Sequence, residues 1–278
     1  MTKFNMMKDT MKTMIIVFCI LAPLFSQGGE NYKVFNRLIR QTDIEDFYTI
    51  NELRTLFESP LLEESQEVLE RFKRKPEKTK SYKEYRDIFL TEKRITEGVN
   101  FYLEHKDLLK DIINDFEIDP LIVVAIVAIE TNYGTRFAEH SVLVSLYTQA
   151  VHLPQRRSWA TKEIFELLVY CKEEKIDPFS VWGSYAGAFG FGQFIPSSFN
   201  RLSIDYNENG KKEPYEWEDV LGSIAHYLKE NGYPKNYHNF SFRSKAWQAI
   251  RTYNRSDHYA NTVIEFRNEL AKQVFLSI

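Results

Sequence analysis

Residues 121–129 constrain the fold of this chain more than any other segment. Leucine, isoleucine, valine or alanine occupies all nine positions, so the stretch has no charged or polar side chain. A helix that is apolar on every side must be buried. Pro120 precedes the run, and proline fits the first turn of a helix. The sequence therefore predicts a buried helix that begins at Pro120 and ends at Glu130, the first carboxylate after the run.

Glu130 is a candidate general acid. A carboxyl group at the end of an apolar helix is poorly solvated, and desolvation disfavours its charged form, so we expect a raised pKa. A raised carboxyl pKa suits a general acid that works near neutral pH. Its position alone is equally compatible with an ordinary polar helix end, or with an ion pair to a basic residue.

A second segment, residues 183–198, is rich in glycine and aromatic residues. It reads Gly-Ser-Tyr-Ala-Gly-Ala-Phe-Gly-Phe-Gly-Gln-Phe-Ile-Pro-Ser-Ser and holds four of the eleven glycines within ten positions. Such glycines let a backbone come close to a ligand. Together with Glu130-Thr131-x-x-Gly134, this segment resembles the membrane-bound lytic murein transglycosylase B family, enzymes that cut the glycan strands of peptidoglycan.

The fold class is predicted to be mainly α. From Ser81 onward, helical patterns follow one another with short connections, and strand-like alternation is scarce. The resemblance implies a lysozyme-like catalytic core with additional helices and an EF-hand-like calcium loop. We expect a signal peptide over residues 1–28, an N-terminal helical lobe and basic linker over residues 29–80, and a lytic transglycosylase catalytic domain over residues 81–278.

Residues 1–28 have the pattern of an export signal. Lys3, Lys8 and Lys12 precede an apolar run from Met14 to Phe25, which is short for a membrane span. A retained anchor is the alternative to cleavage. We therefore expect an exported, periplasmic protein, either free or associated with the cell envelope. The mildly acidic net charge of −3 argues against nucleic acid as a partner.

The resemblance also implies a set of substrate-binding residues around Glu130. Its members match family positions that line the sugar site: Tyr85, Ser184, Gly190, Gly192, Gln193, Tyr253, Asn254 and Tyr259. Tyrosines at helical spacing are more often core residues, and that alternative remains open. Arg156 and Arg157 match two further family positions and could bind carboxylates of peptidoglycan through both guanidinium nitrogens. Alternatively, they pair with nearby Glu163 or Glu166.

Residues 205–216 fit the calcium-loop pattern at every specified position. Side-chain ligands are predicted from Asp205, Asn207, Asn209, Glu213 and Glu216, and a backbone carbonyl from Lys211. Lys212 departs from the pattern, because an apolar β-branched residue usually stands at that position. The alternative is a polar turn rich in asparagine and glycine. No cofactor is expected for the chemistry, and any Ca²⁺ is expected to be structural.

Three functions remain open on the sequence. The first is a lytic transglycosylase that cleaves the β-1,4 bond between N-acetylmuramic acid and N-acetylglucosamine without water and leaves 1,6-anhydromuramic acid ends. The others are a hydrolytic lysozyme of the goose type and an inactive peptidoglycan-binding protein. A hydrolase ordinarily uses two carboxylates, whereas in this family one glutamate serves as acid and base. The expected partners are glycan strands and cell-wall synthesis proteins, and the expected state is a monomer.

Overall fold

The computed structural model describes residues 29–74, 80–235 and 239–277. The predicted signal peptide and the middle of the predicted basic linker lie outside these residues. Within them the chain forms thirteen α-helices and one pair of two-residue strands, which confirms the mainly α class.

The helices are numbered in chain order. They are α1 Glu30–Gln41, α2 Ile50–Phe57, α3 Gln66–Lys73, α4 Tyr82–Arg86, α5 Glu92–Glu104, α6 Lys106–Phe116, α7 Pro120–Thr131, α8 Val142–His152, α9 Arg157–Glu174, α10 Pro196–Leu202, α11 Trp217–Glu230, α12 Lys245–Asn254 and α13 Asp257–Ser277. The strands β1 (His140–Ser141) and β2 (Trp182–Gly183) pair antiparallel, with His140 opposite Gly183 and Ser141 opposite Trp182.

Helix α7 is the predicted buried helix, and it forms the centre of the core. Every residue from Leu121 to Ile129 is at most 9% exposed. The Asp119 carboxylate caps its first turn by accepting a hydrogen bond from Leu121 N at 2.9 Å. The same carboxylate pairs with Arg267 Nη2 of α13 at 2.6 Å. Helices α13 and α5 both pack against α7. Glu130 therefore follows directly on a run of residues that neighbouring helices cover.

The N-terminal helices share this core. Buried residues of α1 and α2, such as Val34 and Leu53, belong to the same apolar cluster as α7. The Tyr48 hydroxyl, in the α1–α2 connection, donates to Leu168 O of α9 at 2.9 Å. The division between an N-terminal lobe and a catalytic domain stays a prediction. None of the helices in the described part of the chain is both long and apolar enough to span a bilayer.

Candidate active site

The end of α7 is tied to the glycine-rich segment. Thr131 is fully buried, and its Oγ1 donates to Phe191 O at 3.0 Å and accepts from Gly134 N at 3.1 Å. Asn132 ends the helix in the left-handed conformation, with φ of 48°. Glu130 is partly exposed. It therefore stands at the edge of the core, next to a residue that fixes the helix end to the segment opposite.

The glycine-rich segment folds as a tight ribbon. Phe189 forms isolated antiparallel β-bridges with both Gly183 and Phe194. A Cβ on Gly183 would lie 2.0 Å from Ala188 O, so only glycine fits there. The half-buried Ser184 accepts a hydrogen bond from Ala188 N through its Oγ at 3.1 Å. The turn is closed by Gln193, whose Nε2 donates to Gly190 O at 2.9 Å. Ser184 and Gln193 thus already help to hold the ribbon.

Two glycines predicted to approach the substrate have close protein neighbours instead. Gly190 has a φ of +73°, and a Cβ there would lie 2.7 Å from Pro214 O. A Cβ on Gly192 would lie 3.0 Å from the Phe194 ring and 3.3 Å from the Tyr253 hydroxyl. These contacts explain both glycines by packing and backbone conformation. Their contact with a glycan stays a prediction.

Two of the predicted tyrosines, Tyr253 and Tyr259, lie close to Glu130, and the third, Tyr85, lies close to Tyr259. The rings of Tyr253 and Tyr259 stack with their centroids 6.3 Å apart and 6° between their planes. The Tyr253 hydroxyl donates to Gly192 O at 2.6 Å, which joins α12 to the ribbon. Tyr85 is 5% exposed, and its ring packs against Phe89 at 5.2 Å. Together with Glu130, these tyrosines form what we call the glutamate site.

The electrostatics of the tyrosines place them beside the carboxylate. Burial raises the pKa of both Tyr253 and Tyr259 well above its usual value, and the negative charge of Glu130 raises each pKa further. Of the two hydroxyl groups, that of Tyr259 contacts the Glu130 carboxylate. The contact does not have the geometry of an ordinary hydrogen bond. Both phenols therefore stay protonated, and Tyr259 can donate a hydrogen bond to the carboxylate. Asn254 ends α12 and is exposed.

The two predicted arginines are separated by the fold. Arg156 lies on the side of the ribbon: its Nε donates to Gln149 Oε1 at 2.8 Å, and Gln149 Nε2 donates to Tyr185 O at 3.2 Å. Its guanidinium lies 4.0 Å from the Trp159 ring centroid, and burial lowers its pKa. Arg157 instead donates from Nη2 to Val151 O at 3.2 Å at the end of α8.

The carboxylates proposed as alternative partners of these arginines are engaged elsewhere. Glu163 is 3% exposed and accepts hydrogen bonds from Ser197 N at 2.9 Å and from Ser197 Oγ at 2.8 Å. Glu166 accepts from Asn200 Nδ2 at 2.8 Å. Among the described residues, no ion pair joins Arg156 or Arg157 to either glutamate. Burial raises the pKa of Glu163.

The predicted calcium loop has a turn of the expected form. Asp205 Oδ1 accepts from Asn209 N at 3.0 Å, and its Oδ2 accepts from Gly210 N at 2.7 Å. Asn207 Oδ1 also accepts from Asn209 N, at 3.1 Å. Gly210 has the positive φ of +89° that the turn requires. Side-chain oxygens from the first half of the loop therefore converge, which fits the oxygen chemistry of Ca²⁺ in part.

Both halves of the loop are held by a residue beyond it that the sequence did not indicate. Asp219 is 2% exposed and accepts from Tyr206 N at 2.8 Å, from Asn207 N at 3.3 Å and from Glu213 N at 2.8 Å. The predicted ligand Glu216 is exposed and stands just before α11, and Lys211 is exposed as well. In the described part of the chain, no group of three or more histidine, cysteine or acidic side chains could hold a metal ion.

Comparisons with known proteins find a matching family model and a protein of similar sequence. The model of the family described as "Transglycosylase SLT domain" matches residues 30–243. The chain is similar to membrane-bound lytic murein transglycosylase B of Escherichia coli strain K12, with 32% identity over 151 residues, which are 54% of this chain and 42% of that protein. The aligned stretch thus spans less than half the length of that relative.

Solved structures share the fold. Soluble lytic transglycosylase SltB1 from Pseudomonas aeruginosa matches with a TM-score of 0.78 and 25% identity, over 87% of this chain and 99% of that one. SltB3 from the same organism, in complex with NAG-anhNAM-pentapeptide, matches with a TM-score of 0.76 and 20% identity, over 88% and 80%. Escherichia coli Slt35 in complex with calcium matches with a TM-score of 0.76 and 21% identity, over 88% and 94%.

Proposed function

The chain belongs to the transglycosylase SLT-domain family, and we propose that it cuts the glycan strands of peptidoglycan by lytic transglycosylation. Glu130 is the proposed catalytic residue. It would protonate the oxygen of the bond between N-acetylmuramic acid and N-acetylglucosamine. The C6 hydroxyl of the muramoyl unit would then attack the anomeric carbon, and the same carboxylate would take up the hydroxyl proton. The product would end in 1,6-anhydromuramic acid, and no water would be consumed.

The observation that carries this proposal is the environment of Glu130. Among the described residues, Glu130 is the carboxylate whose charge acts on both Tyr253 and Tyr259. A hydrolase of the usual kind would need a second acidic group near it. An intramolecular hydroxyl held against the anomeric carbon can replace that group, because effective molarities reach roughly 10⁵ M or more.

Asp205, Glu208 and Glu213 lie close together in sequence and could serve as a second base, and two of them are hydrogen-bonded within their own loop. Asp205 holds the backbone of Asn209 and Gly210, and Glu213 Oε2 accepts from Asn209 Nδ2 at 2.6 Å. This pairing supports a mechanism with one carboxylate. It argues against the goose-type lysozyme, which would need one of these groups at the bond.

Substrate contacts are proposed on both sides of Glu130. Ser184 and Gln193 of the ribbon, together with Tyr85, Tyr253 and Asn254, would hold the sugar rings. Arg156 would meet a lactyl or peptide carboxylate, since it lies on the ribbon side and its positive charge is partly desolvated. Arg157 is the weaker candidate, because its guanidinium already serves the carbonyls at the end of α8.

We also propose an exported protein that carries a structural Ca²⁺ in the 205–216 loop. The signal-like sequence of residues 1–28 supports export to the periplasm. The side-chain oxygens of Asp205 and Asn207, which converge on Asn209 N, support the cation site. Cell-wall synthesis proteins remain proposed partners of a monomeric enzyme.

Mass analysis of products tests the proposed reaction. Purified sacculi digested by the chain should release muropeptides with 1,6-anhydromuramic acid ends, each lighter by one water than the product of a hydrolase. Reducing ends that incorporate oxygen-18 from labelled water would show a lysozyme instead. A chain that binds sacculi and releases nothing would be an inactive binding protein.

A further inference from the structure

A separate pocket of about 480 Å³ lies between residues 61–68, the β1–β2 pair and the first turns of α8. Its volume falls in the range of ordinary small-molecule sites, which is roughly 300–1,000 Å³. Glu130 does not line it. It therefore does not belong to the glutamate site, although it shares the chain segment that leads into the ribbon.

One wall of the pocket presents an exposed aromatic ring. Trp182 of β2 is 47% exposed, and Leu61 across the pocket is 62% exposed. Large apolar side chains at this exposure often mark a binding surface. Trp182 stands two residues before Ser184, so the pocket adjoins the start of the ribbon.

The strand beside Trp182, β1, and the start of α8 carry buried polar atoms that have no hydrogen-bond partner within the described residues. They are His140 Nε2, Ser141 Oγ and Ser145 Oγ. His140 is only 7% exposed and Ser145 is fully buried. Buried polar atoms in native proteins are nearly always paired, so three unpaired atoms in one wall call for an explanation. A ligand with hydroxyl or amide groups would supply one.

The surroundings of His140 show where such a group would sit. Its Nε2 lies 4.0 Å from Glu67 Oε1 and 4.0 Å from Glu139 Oε2. These separations are too long for hydrogen bonds. A hydroxyl group placed between them would donate to a carboxylate and pair with the imidazole, as a bridging water does.

We propose that this pocket binds an uncharged N-acetylated hexosamine unit of a glycan strand, which deepens and rests on the proposed function. A sugar ring has a C–H face that packs on an aromatic ring and a rim of hydroxyl groups that need hydrogen bonds. Trp182 provides the ring, and His140, Ser141 and Ser145 provide the hydrogen bonds. The partly exposed side chains of Val144 and Phe179 give the acetamido methyl group an apolar contact.

The charged residues around His140 determine which amino sugar the pocket prefers. Glu67 and Glu139 border His140, and the cation that contacts both is Arg71, at 3.9 Å and 3.1 Å. Two carboxylates beside one arginine disfavour a further carboxylate. The pocket therefore takes N-acetylglucosamine in preference to a muramoyl unit with its lactyl or peptide carboxylate.

A site-specific titration tests the proposal. The Glu130→Gln variant, which should not turn over substrate, is labelled with nitrogen-15 and titrated with chitotetraose, four β-1,4-linked N-acetylglucosamine units. The chain has four tryptophans, and the indole N–H signal of Trp182 is assigned by its loss in Trp182→Phe. We expect a saturable shift of that signal. A muramoyl-pentapeptide fragment should shift the same signal with lower affinity.

Ser145→Ala separates ligand binding from a structural role. Affinity measured at the Trp182 signal should fall about fivefold, the effect of one ordinary hydrogen bond. The melting temperature should stay unchanged or rise, because the removed hydroxyl has no partner in the described part of the chain. The matched control is Phe242→Ala, which removes another exposed aromatic ring, 56% exposed and outside the pocket, and should leave the affinity unchanged.

The outcomes distinguish this site from the proposed function. Absence of a saturable Trp182 shift, or a shift whose affinity Ser145→Ala leaves unchanged, overturns the pocket proposal even if sacculi yield anhydro products. Tighter binding of the muramoyl fragment overturns the preference for an uncharged sugar. A Trp182 shift in a chain whose products carry reducing ends keeps the sugar site and refutes the transglycosylase.

Discussion

The glutamate site and the 205–216 loop carry the two strongest motifs of the chain, and they are built in different ways. The glutamate site is assembled from buried aromatic rings on α4 and α13 and a partly buried ring on α12, near the end of α7. The loop is held by polar side chains that bind its backbone: the partly exposed Asp205, the exposed Asn207 and the buried Asp219. Rigid packing supports the first region, whereas local hydrogen bonds support the second.

This difference predicts which property each region controls. In the glutamate site, a polar atom can be changed without loss of packing, so its variants should alter chemistry and spare stability. In the loop, the polar side chains hold the backbone through hydrogen bonds, so variants of these side chains should alter stability. The two regions meet at Pro214, whose carbonyl accepts from Phe191 N at 2.9 Å. Variants that report both activity and stability therefore show how far the regions are independent.

The largest expected effect is the loss of activity in Glu130→Gln. The amide keeps the shape of the side chain but cannot deliver the proton, and general acid–base catalysis contributes about 10²–10⁴-fold. Turbidity loss of purified cell walls should therefore fall at least about a hundredfold. Unfolding and wall binding should match the wild type. Activity above about one hundredth of wild type would remove Glu130 from the role of acid.

The next effect is on stability, in Asp219→Ala. The change leaves the N–H groups of Tyr206, Asn207 and Glu213 without their acceptor. Loss of a buried charged acceptor should lower the free energy of unfolding by about 2–4 kcal/mol, as urea denaturation would measure. The neighbouring Glu218→Ala is the matched control, because Glu218 is exposed and should contribute only a few tenths of a kcal/mol at the helix start. Equal losses in both variants would contradict the anchoring role of Asp219.

The sequence predicted the helix that carries Glu130 better than the anchoring of the loop, for a physical reason. Helix α7 could be predicted because the nine apolar residues and Pro120 act locally. Asp219 could not, since it lies beyond the loop pattern and its hydrogen bonds reach backbone groups as far away as Tyr206. Arg156 and Arg157 are adjacent in sequence, but consecutive residues at a helix start point in different directions. Their separation follows from that geometry.

The pocket beside Trp182 shows the same limit. Its walls come from residues 61–68, β1, β2 and α8, which no local pattern brings together. The sequence marks Trp182 only as one aromatic residue before a glycine. The exposure of Trp182 and the unpaired atoms beside it arise from tertiary packing, and the proposal rests on both.

Tyr259→Phe should have a smaller effect, and it should separate activity from stability. The hydroxyl meets Glu130 outside ordinary hydrogen-bond geometry, and catalytic contacts often tighten only when substrate is bound. We expect activity to fall about tenfold, because a hydrogen bond to a charged group is lost. The melting temperature should not fall, since no well-formed bond is removed. A parallel fall in both would show that Tyr259 only supports the fold, as its full burial alone would suggest.

The smallest expected effect is the response of the loop to calcium. A ligand that binds only the folded state stabilises it by mass action, so the cation should raise the melting temperature. Few charged ligands and the lysine at position 212 favour a weak site, so millimolar Ca²⁺ is the range to test. At a concentration near the dissociation constant, the gain is about 0.4 kcal/mol. Mg²⁺ is the control ion, because it demands a smaller and more rigid octahedral site.

Two loop variants decide what the calcium response means. Asp205→Ala should abolish the shift, because it removes the carboxylate on which the turn converges. Glu216→Ala tests the ligand predicted at the last position, which the fold leaves exposed before α11. Loss of the shift in both variants would place Glu216 at the metal, through a movement of the second half of the loop. An unchanged shift in Asp205→Ala, or no shift in the wild type, would show that the loop is a polar turn without a calcium site. The loop and the glutamate site would then differ only in how they are built.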